Sequence, residues 1–261
     1  MFFNCSSIDL NNTPIKYSNI AQQIDSLSKY SYKLDVLLAN VHVGSGTGFF
    51  VRYKKKLLLI SNYHVFTGQN TMTKSQYKLK FNIISFKFKT KDNKSFTHLI
   101  NVSSIIEKSK SYFFYEYPDL YIYDLTKLIP KNAEINSVEK FIKPSFNLGT
   151  PYEIVSIGFT PNKDKIADLF QLNMQSSLKR FDTTFMLYGP QRTVVKMTNS
   201  YILLNMSKGG LSGAPVFAKY KTVKNDSIVF AGVISSTFPE LKGTLIVKPL
   251  EVIKLIKTHT K

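Results

Sequence analysis

What most limits the folding of this chain is a succession of short apolar runs, cut at close intervals by glycine, asparagine and lysine. From Leu34 onward come Val36-Leu37-Leu38, Val41-His42-Val43, Gly48-Phe49-Phe50-Val51 and Leu57-Leu58-Leu59-Ile60, with Lys54-Lys55-Lys56 placed as a hairpin tip. Ile83 to Lys89 and Phe96 to Val102 alternate around an Asp92-Asn93 turn, and Tyr112 to Tyr115 and Leu120 to Leu125 continue the series. Runs this short, punctuated this often, make hairpins. A polar, proline-bracketed segment (130–144) reads as a connection to a second set. That set comprises Tyr152 to Phe159, Thr184 to Tyr188, Thr193 to Met197, Tyr201 to Asn205, Pro215 to Tyr220, Ile228 to Ile234 and Gly243 to Val247. Helical spacing is confined to a stretch near Ser18 to Leu27 and to the tail that starts at Pro249. The pattern predicts an all-β chain in two halves, either two barrels or a sandwich, closed by one short helix. The divisions fall at 1–32 (an N-terminal extension), 33–129, 130–144, 145–248 and 249–261.

Cys5 is the only cysteine, so no intramolecular disulfide can form and a core must hold the fold. With 261 residues, 43% of them hydrophobic, the chain has the material for one. The formal charge of +18 raises nucleic acid as a partner, but the excess is almost all lysine, with Arg52, Arg180 and Arg192 the only arginines. Arginine is the residue suited to bidentate phosphate and base contacts, so a solvated lysine surface is favoured over a nucleic-acid site. No apolar run is long enough to span a membrane, and Met-Phe-Phe-Asn-Cys-Ser-Ser lacks the basic lead of a secretory signal, so a cytoplasmic location is expected.

Chemistry concentrates at Ser207-Lys208-Gly209-Gly210-Leu211-Ser212-Gly213-Ala214-Pro215-Val216-Phe217. Gly210 and Gly213 free the backbone on both sides of Ser212 to take positive φ and to aim N–H groups at a reacting carbonyl. A serine hydroxyl needs a base, and the base needs an orienting group. Four histidines are available: His42, His64, His98 and His259. His64 follows an apolar run that ends in Ser61-Asn62-Tyr63, which puts it at a strand end, whereas His42 and His98 alternate within strands. Asp119 enters the apolar run Leu120-Tyr121-Ile122-Tyr123, where a carboxylate is costly unless paired, and is the candidate to orient His64.

Gly44-Ser45-Gly46-Thr47-Gly48-Phe49-Phe50-Val51, Leu59-Ile60-Ser61-Asn62-Tyr63-His64-Val65, Pro118-Asp119-Leu120 and Gly210-Leu211-Ser212-Gly213-Ala214-Pro215-Val216 together resemble the chymotrypsin-like serine proteases. The likeness is closest to their disulfide-free bacterial, HtrA-type branch, with His64, Asp119 and Ser212 in the family's order. The resemblance implies two six-stranded antiparallel β-barrels packed side by side, the first over 33–129 with His64 and Asp119, the second over 145–248 with Ser212. It implies a serine endopeptidase acting on protein or peptide substrates, with no metal or cofactor, Ser212 as nucleophile, His64 as base and Asp119 holding the imidazole tautomer. The N–H groups of Gly210 and Ser212 would form the oxyanion hole. Met206 would lie at the primary specificity site, and Gly232, Val233, Ile234 and Ser235 would bind extended substrate. Two positions depart from the pattern. Leu211 stands where trypsin-type enzymes carry an acidic residue that pairs with a new N-terminus, so no such activation is expected, and Ala214 replaces a usual glycine.

Two other function classes compete with this one: a protease-like fold kept as a binding module, and a basic nucleic-acid binder. The order Ser212, Asp226, His259 also matches that of α/β-hydrolases, but their elbow requires glycine at 214 and a helix after the serine. Here Ala214 precedes the strand-like Pro215-Val216-Phe217, which excludes that class.

Overall fold

Alternation of side chains along the first strands determines where the core lies. In Phe49-Phe50 and in Leu57-Leu58-Leu59-Ile60 successive residues point to opposite faces, and both faces are apolar, so these strands must be covered on both sides. The computed structural model describes residues 26–70, 75–76, 80–109, 118–143, 153–160, 163–166, 178–179, 184–187, 193–196, 200–203, 209–221, 226–238 and 243–260. Tyr112 to Tyr115, Met206 and most of the helical stretch near Ser18 lie outside them.

The first half contains β1 (Tyr32–Leu38), β2 (Val41–Tyr53), β3 (Lys56–Ser61), the ribbon of β4 (Gln69–Asn70) and β5 (Ser75–Gln76), then β6 (Ile83–Thr90), β7 (Ser95–Asn101), β8 (Tyr121–Asp124) and β9 (Ala133–Glu134). The main sheet runs β7-β6-β1-β2-β3-β8, all antiparallel, with the two-residue β9 added beside β6. Its hairpins turn as the sequence suggests. Lys54 and Lys55 (φ 47° and 67°) form the β2–β3 tip, and Asn93 (φ 60°) lies in the β6–β7 turn. Two helices interrupt it, α1 (Tyr63–Thr67) and α2 (Ser103–Ser109).

The second half contains β10 (Glu153–Ser156), β11 (Gly158–Thr160), β12 (Lys163–Ile166), β13 (Leu178–Lys179), β14 (Thr184–Leu187), β15 (Thr193–Lys196), β16 (Ser200–Leu203), β17 (Pro215–Lys221), β18 (Asp226–Phe238) and β19 (Gly243–Val247). Six of these form an antiparallel sheet in the order β10-β17-β18-β19-β16-β13, while β11–β12 and β14–β15 are ribbons. The closing helix α3 (Pro249–His259) begins with proline at its first turn and buries Val252 and Ile256.

Three apolar clusters follow from this alternation. Leu34, Phe50, Leu59, Phe66, Ile84 and Phe86 form the core of the first sheet, and Ile154, Leu211, Ala214, Val216, Val229 and Ile246 that of the second. Between the sheets lies the third, where Phe49, Leu58 and Ile60 meet Phe217, Phe230, Val233 and Val247, with α3 covering one side. A phenylalanine fully buried here contributes roughly 1.5–3 kcal/mol through apolar area alone. The fold is thus all-β, two curled antiparallel sheets back to back with one C-terminal helix. Among the described residues, no helix is long and apolar enough to cross a membrane.

Two segments pack more tightly than their composition suggests. The end of the N-terminal extension enters the shared core through Leu27 and Tyr30, and Ser31 Oγ donates to the Ile157 carbonyl at 2.6 Å. The polar connection is pinned to the first sheet by β9, by the Val138 N–H bond to Phe50 O and by burial of Ile135 and Val138. Apolar residues at 135 and 138 supply that anchoring, and an average over a lysine-rich segment hides them.

Candidate active site

The strand β3 ends at Ser61 because Asn62 turns the chain into the single helical turn α1, closed by Gly68 in the left-handed region (φ 74°). This turn carries His64 to the edge of the first sheet. Asp119 reaches the same place from the strand paired with β3, since Ser61 lies opposite Tyr121. The Asn62 side chain ties the two segments by donating to the Asp119 carbonyl at 2.7 Å. Asp119 has 0% exposure, and its charge is met by three donors. His64 N–H lies 3.1 Å from Oδ1, His64 Nδ1 2.6 Å from Oδ2, and Ser235 Oγ 2.8 Å from Oδ2. A carboxylate only accepts, so the imidazole proton sits on Nδ1 and the lone pair on Nε2. Beneath α1, Phe66 packs on Tyr121 with ring centroids 4.8 Å apart. Burial, reinforced by neighbouring Tyr63 and Tyr123, pushes the Tyr121 phenol up and keeps it neutral.

Ser212 comes from the second half, on the turn that enters β17. Gly210 (φ 90°) and Gly213 (φ 85°) both take the left-handed conformation read from their lack of a Cβ. At Gly213 the requirement is also steric, because a Cβ would lie 2.1 Å from both Ser61 Oγ and the Thr47 carbonyl. The turn is tied down by Ala214 N–H to Leu211 O (2.9 Å), Gly213 N–H to Ile234 O (2.8 Å) and Thr47 N–H to Ser212 O (2.9 Å). Ser212 Oγ donates a long bond, 3.4 Å, to the Ser235 carbonyl. Leu211, where trypsin-type enzymes carry an acid, is fully buried against Ile154, Ala214 and Val216.

His64, Gly209, Gly210 and Ser212 line one cavity of about 450 Å³, which continues over Val36, Gly44, Ser45, Val65 and Phe81. The structure therefore brings His64, Asp119, Ser212 and Gly210 together. It places the other histidines elsewhere: His42 is exposed and contacts Ser45 and Asp35, and His98 stands on β7 against Phe86. Burial lowers the His98 pKa.

Gly232, Val233 and Ile234 lie inside β18, where Gly232 pairs with Val216 of β17. Val233 pairs with Pro215 and Val247, and Ile234 with Ile246, while its N–H bonds Ala214 O. A Cβ on Gly232 (φ 137°) would lie 2.2 Å from Val247 O. All three thus stand in the sheet beside the nucleophile turn. From Ser235 the pairing changes, since β17 has left and β19 alone continues through Ser236, Thr237 and Phe238. Ser235 itself supports Asp119, a role that sequence reading missed. The available signal was a hydroxyl ending an apolar run, which must find a partner if buried.

No family model matches the chain, and no curated protein is similar to it. Among solved structures, a human pathogenic astrovirus serine protease is 13% identical, covering 85% of this chain and 90% of its own, with a TM-score of 0.40. Rv3671c from M. tuberculosis H37Rv, a serine-to-alanine mutant in an inactive form, is 14% identical over 99% of this chain and 98% of that one, with a TM-score of 0.50. The second likeness, with the sheet order, shows the fold alone: two antiparallel β-sheets arranged in the chymotrypsin-like way.

Proposed function

We propose that this protein is a serine endopeptidase that cleaves peptide bonds through an acyl-enzyme, with His64, Asp119 and Ser212 as its triad. The observation that carries this reading is the 2.6 Å bond from His64 Nδ1 to a buried Asp119, in the wall of the cavity that also holds Ser212. Ser212 Oγ attacks the substrate carbonyl as His64 Nε2 takes its proton, and Asp119 stabilises the imidazolium. The N–H groups of Gly210 and Ser212 hold the oxyanion; one such donor is worth about 3 kcal/mol in the transition state. His64 then protonates the leaving amine, which breaks the C–N bond, and activates the water that hydrolyses the ester. The two barrels extend over 33–129 and 145–248, joined through 130–144.

The leaving half of the substrate must lie on the side of the residue that protonates it. That side is the His64 end of the cavity, whose walls Val36, Val65 and Phe81 suit an apolar residue after the scissile bond. The acyl half would add a strand along Ser235 to Thr237, with Met206 near its first side chain. A fluorophosphonate probe tests the reading. Labelling of the wild type and not of Ser212→Ala, with loss of unfolded-casein cleavage in that variant, is expected. An unlabelled wild type that cleaves no unfolded protein would leave the barrels as a binding module and overturn it.

A further inference from the structure

We propose that Thr47 is the positioning residue that keeps the nucleophile turn in working shape, through a hydroxyl bond that stands in for the ion pair Leu211 cannot make. This rests on reading Ser212 as nucleophile and Gly210 and Ser212 as oxyanion donors. Leu211 fixes its own side chain in the second core, but an apolar side chain gives no direction to the peptide before it. Gly210 lacks a Cβ and can swing between conformations at little cost, so its orientation must be set by a hydrogen bond.

Thr47 supplies that bond from the other half of the molecule. Its Oγ1 donates to the Gly210 carbonyl at 2.8 Å, across 163 positions of sequence. The hydroxyl also accepts from Phe159 N–H at 3.0 Å, which occupies a lone pair and directs its proton to Gly210. Thr47 N–H holds the Ser212 carbonyl at 2.9 Å, and Thr47 O accepts from Ser61 Oγ at 2.6 Å, two residues before the turn that carries His64 begins. Every polar atom of a residue with 0% exposure is thus bonded to the nucleophile turn or its supports. Phe159 comes this close because Gly158 precedes it; a Cβ there would lie 2.7 Å from Thr47 Oγ1. The branched Cβ of threonine narrows its choice of χ1 and so holds the hydroxyl in place.

Three successive carbonyls of the turn are therefore clamped: Gly210 by Thr47 Oγ1, Leu211 by Ala214 N–H and Ser212 by Thr47 N–H. In a trans peptide the N–H points opposite to the carbonyl of the same plane. Clamping the Leu211 carbonyl hence aims the Ser212 N–H. The Gly210 N–H belongs to the plane before, attached to an exposed Gly209 around which a Cβ would meet nothing within 4 Å. Its aim depends on φ and ψ of Gly210, the two torsions that link it to the plane that Thr47 clamps. Loss of the hydroxyl releases that donor first and leaves the triad bonds untouched.

The test compares Thr47→Val, which removes the hydroxyl at constant shape, with Thr47→Ser, which keeps it and removes the methyl. The readouts are the second-order rate of fluorophosphonate labelling, kcat and KM on unfolded casein, and the unfolding midpoint. In labelling, Ser212 Oγ bonds phosphorus as fluoride leaves and its proton passes to His64, with the phosphonyl oxygen in the oxyanion hole. Thr47→Val is expected to lower the labelling rate and kcat about 10- to 100-fold with little change in KM, while Thr47→Ser labels near the wild-type rate even if less stable. Should Thr47→Val not fold, Thr47→Cys, a weak donor of similar volume, is expected to label at an intermediate rate. Wild-type labelling matched by Thr47→Val, or rates in Thr47→Ser as low as in Thr47→Val, would overturn the inference alone. An unlabelled wild type would overturn the proposed function and this inference with it.

Discussion

The two halves of the site are held by different means. The half that carries His64 and Asp119 is local: α1 follows directly on β3, Asp119 directly precedes β8, β3 and β8 are neighbours in one sheet, and His64 and Asp119 are joined by a buried side-chain bond. The nucleophile half is a glycine turn whose own side chains fix little. It takes its shape from bonds supplied to its backbone from outside, by the hydroxyl and N–H of Thr47 of β2 and the carbonyl of Ile234 of β18. The lesson is that a base can be positioned by its immediate neighbours, whereas a turn that must present N–H groups needs a scaffold on both sides.

Asp119→Asn should separate these two halves with the largest effect. An amide at 119 can donate to Nδ1 and favours the wrong imidazole tautomer, so kcat is expected to fall about 10⁴-fold. The nucleophile turn contains none of the lost bonds. Slow labelling by a fluorophosphonate together with an unfolding midpoint near that of the wild type would support the division. A midpoint lowered as much as activity would show that both halves stand or fall together.

This contrast also explains what the sequence revealed. His64, Asp119 and Ser212 stood out as candidates because each sits in a local pattern: an apolar run ending in polar residues, a carboxylate entering an aromatic strand, a serine between glycines. The all-β class was legible from side-chain alternation, as were the turns at Lys54-Lys55 and Asp92-Asn93. The bonds that assemble the site were not. Ser235 meets Asp119 across 116 positions, and Thr47 meets Gly210 across 163. Contacts of that range depend on how two sheets dock, which no local pattern encodes. Leu211 looked anomalous only because its partner was sought among charges; it belongs to the apolar core of the second sheet.

Gly213→Ala probes the nucleophile half through its scaffold. The new Cβ would meet the Thr47 carbonyl and Ser61 Oγ at 2.1 Å, and an alanine is strained at φ 85°. Neither neighbour is the loose end of a long side chain, so the turn or β2 must shift. A loss of about 2–4 kcal/mol in denaturant unfolding is expected, with activity falling in the fraction that stays folded. A stable, fully active variant would mean that the two sheets are not locked together at this point.

The smallest effect distinguishes the site histidine from one on the far edge of the same sheet. His98 pairs with Phe86 across β6 and β7, ring centroids 5.5 Å apart, and burial holds its pKa below the ordinary value. The proton therefore binds the unfolded chain more tightly than the folded one. Stability from the neutral ring is full above the unfolded pKa of about 6.5 and is lost as pH falls through that value to the lower folded one. His98→Phe removes the titration and extends the aromatic ladder of Phe86, Phe88 and Phe96. Its unfolding free energy should gain on the wild type between pH 7 and pH 5, by no more than about 1 kcal/mol once solvent screening is allowed for. The pH profile of labelling should not move. If it shifts with His98→Phe, the half that carries His64 and Asp119 is not as local as its bonds imply, because a ring on the outer edge strand would then be acting on one held by Asp119.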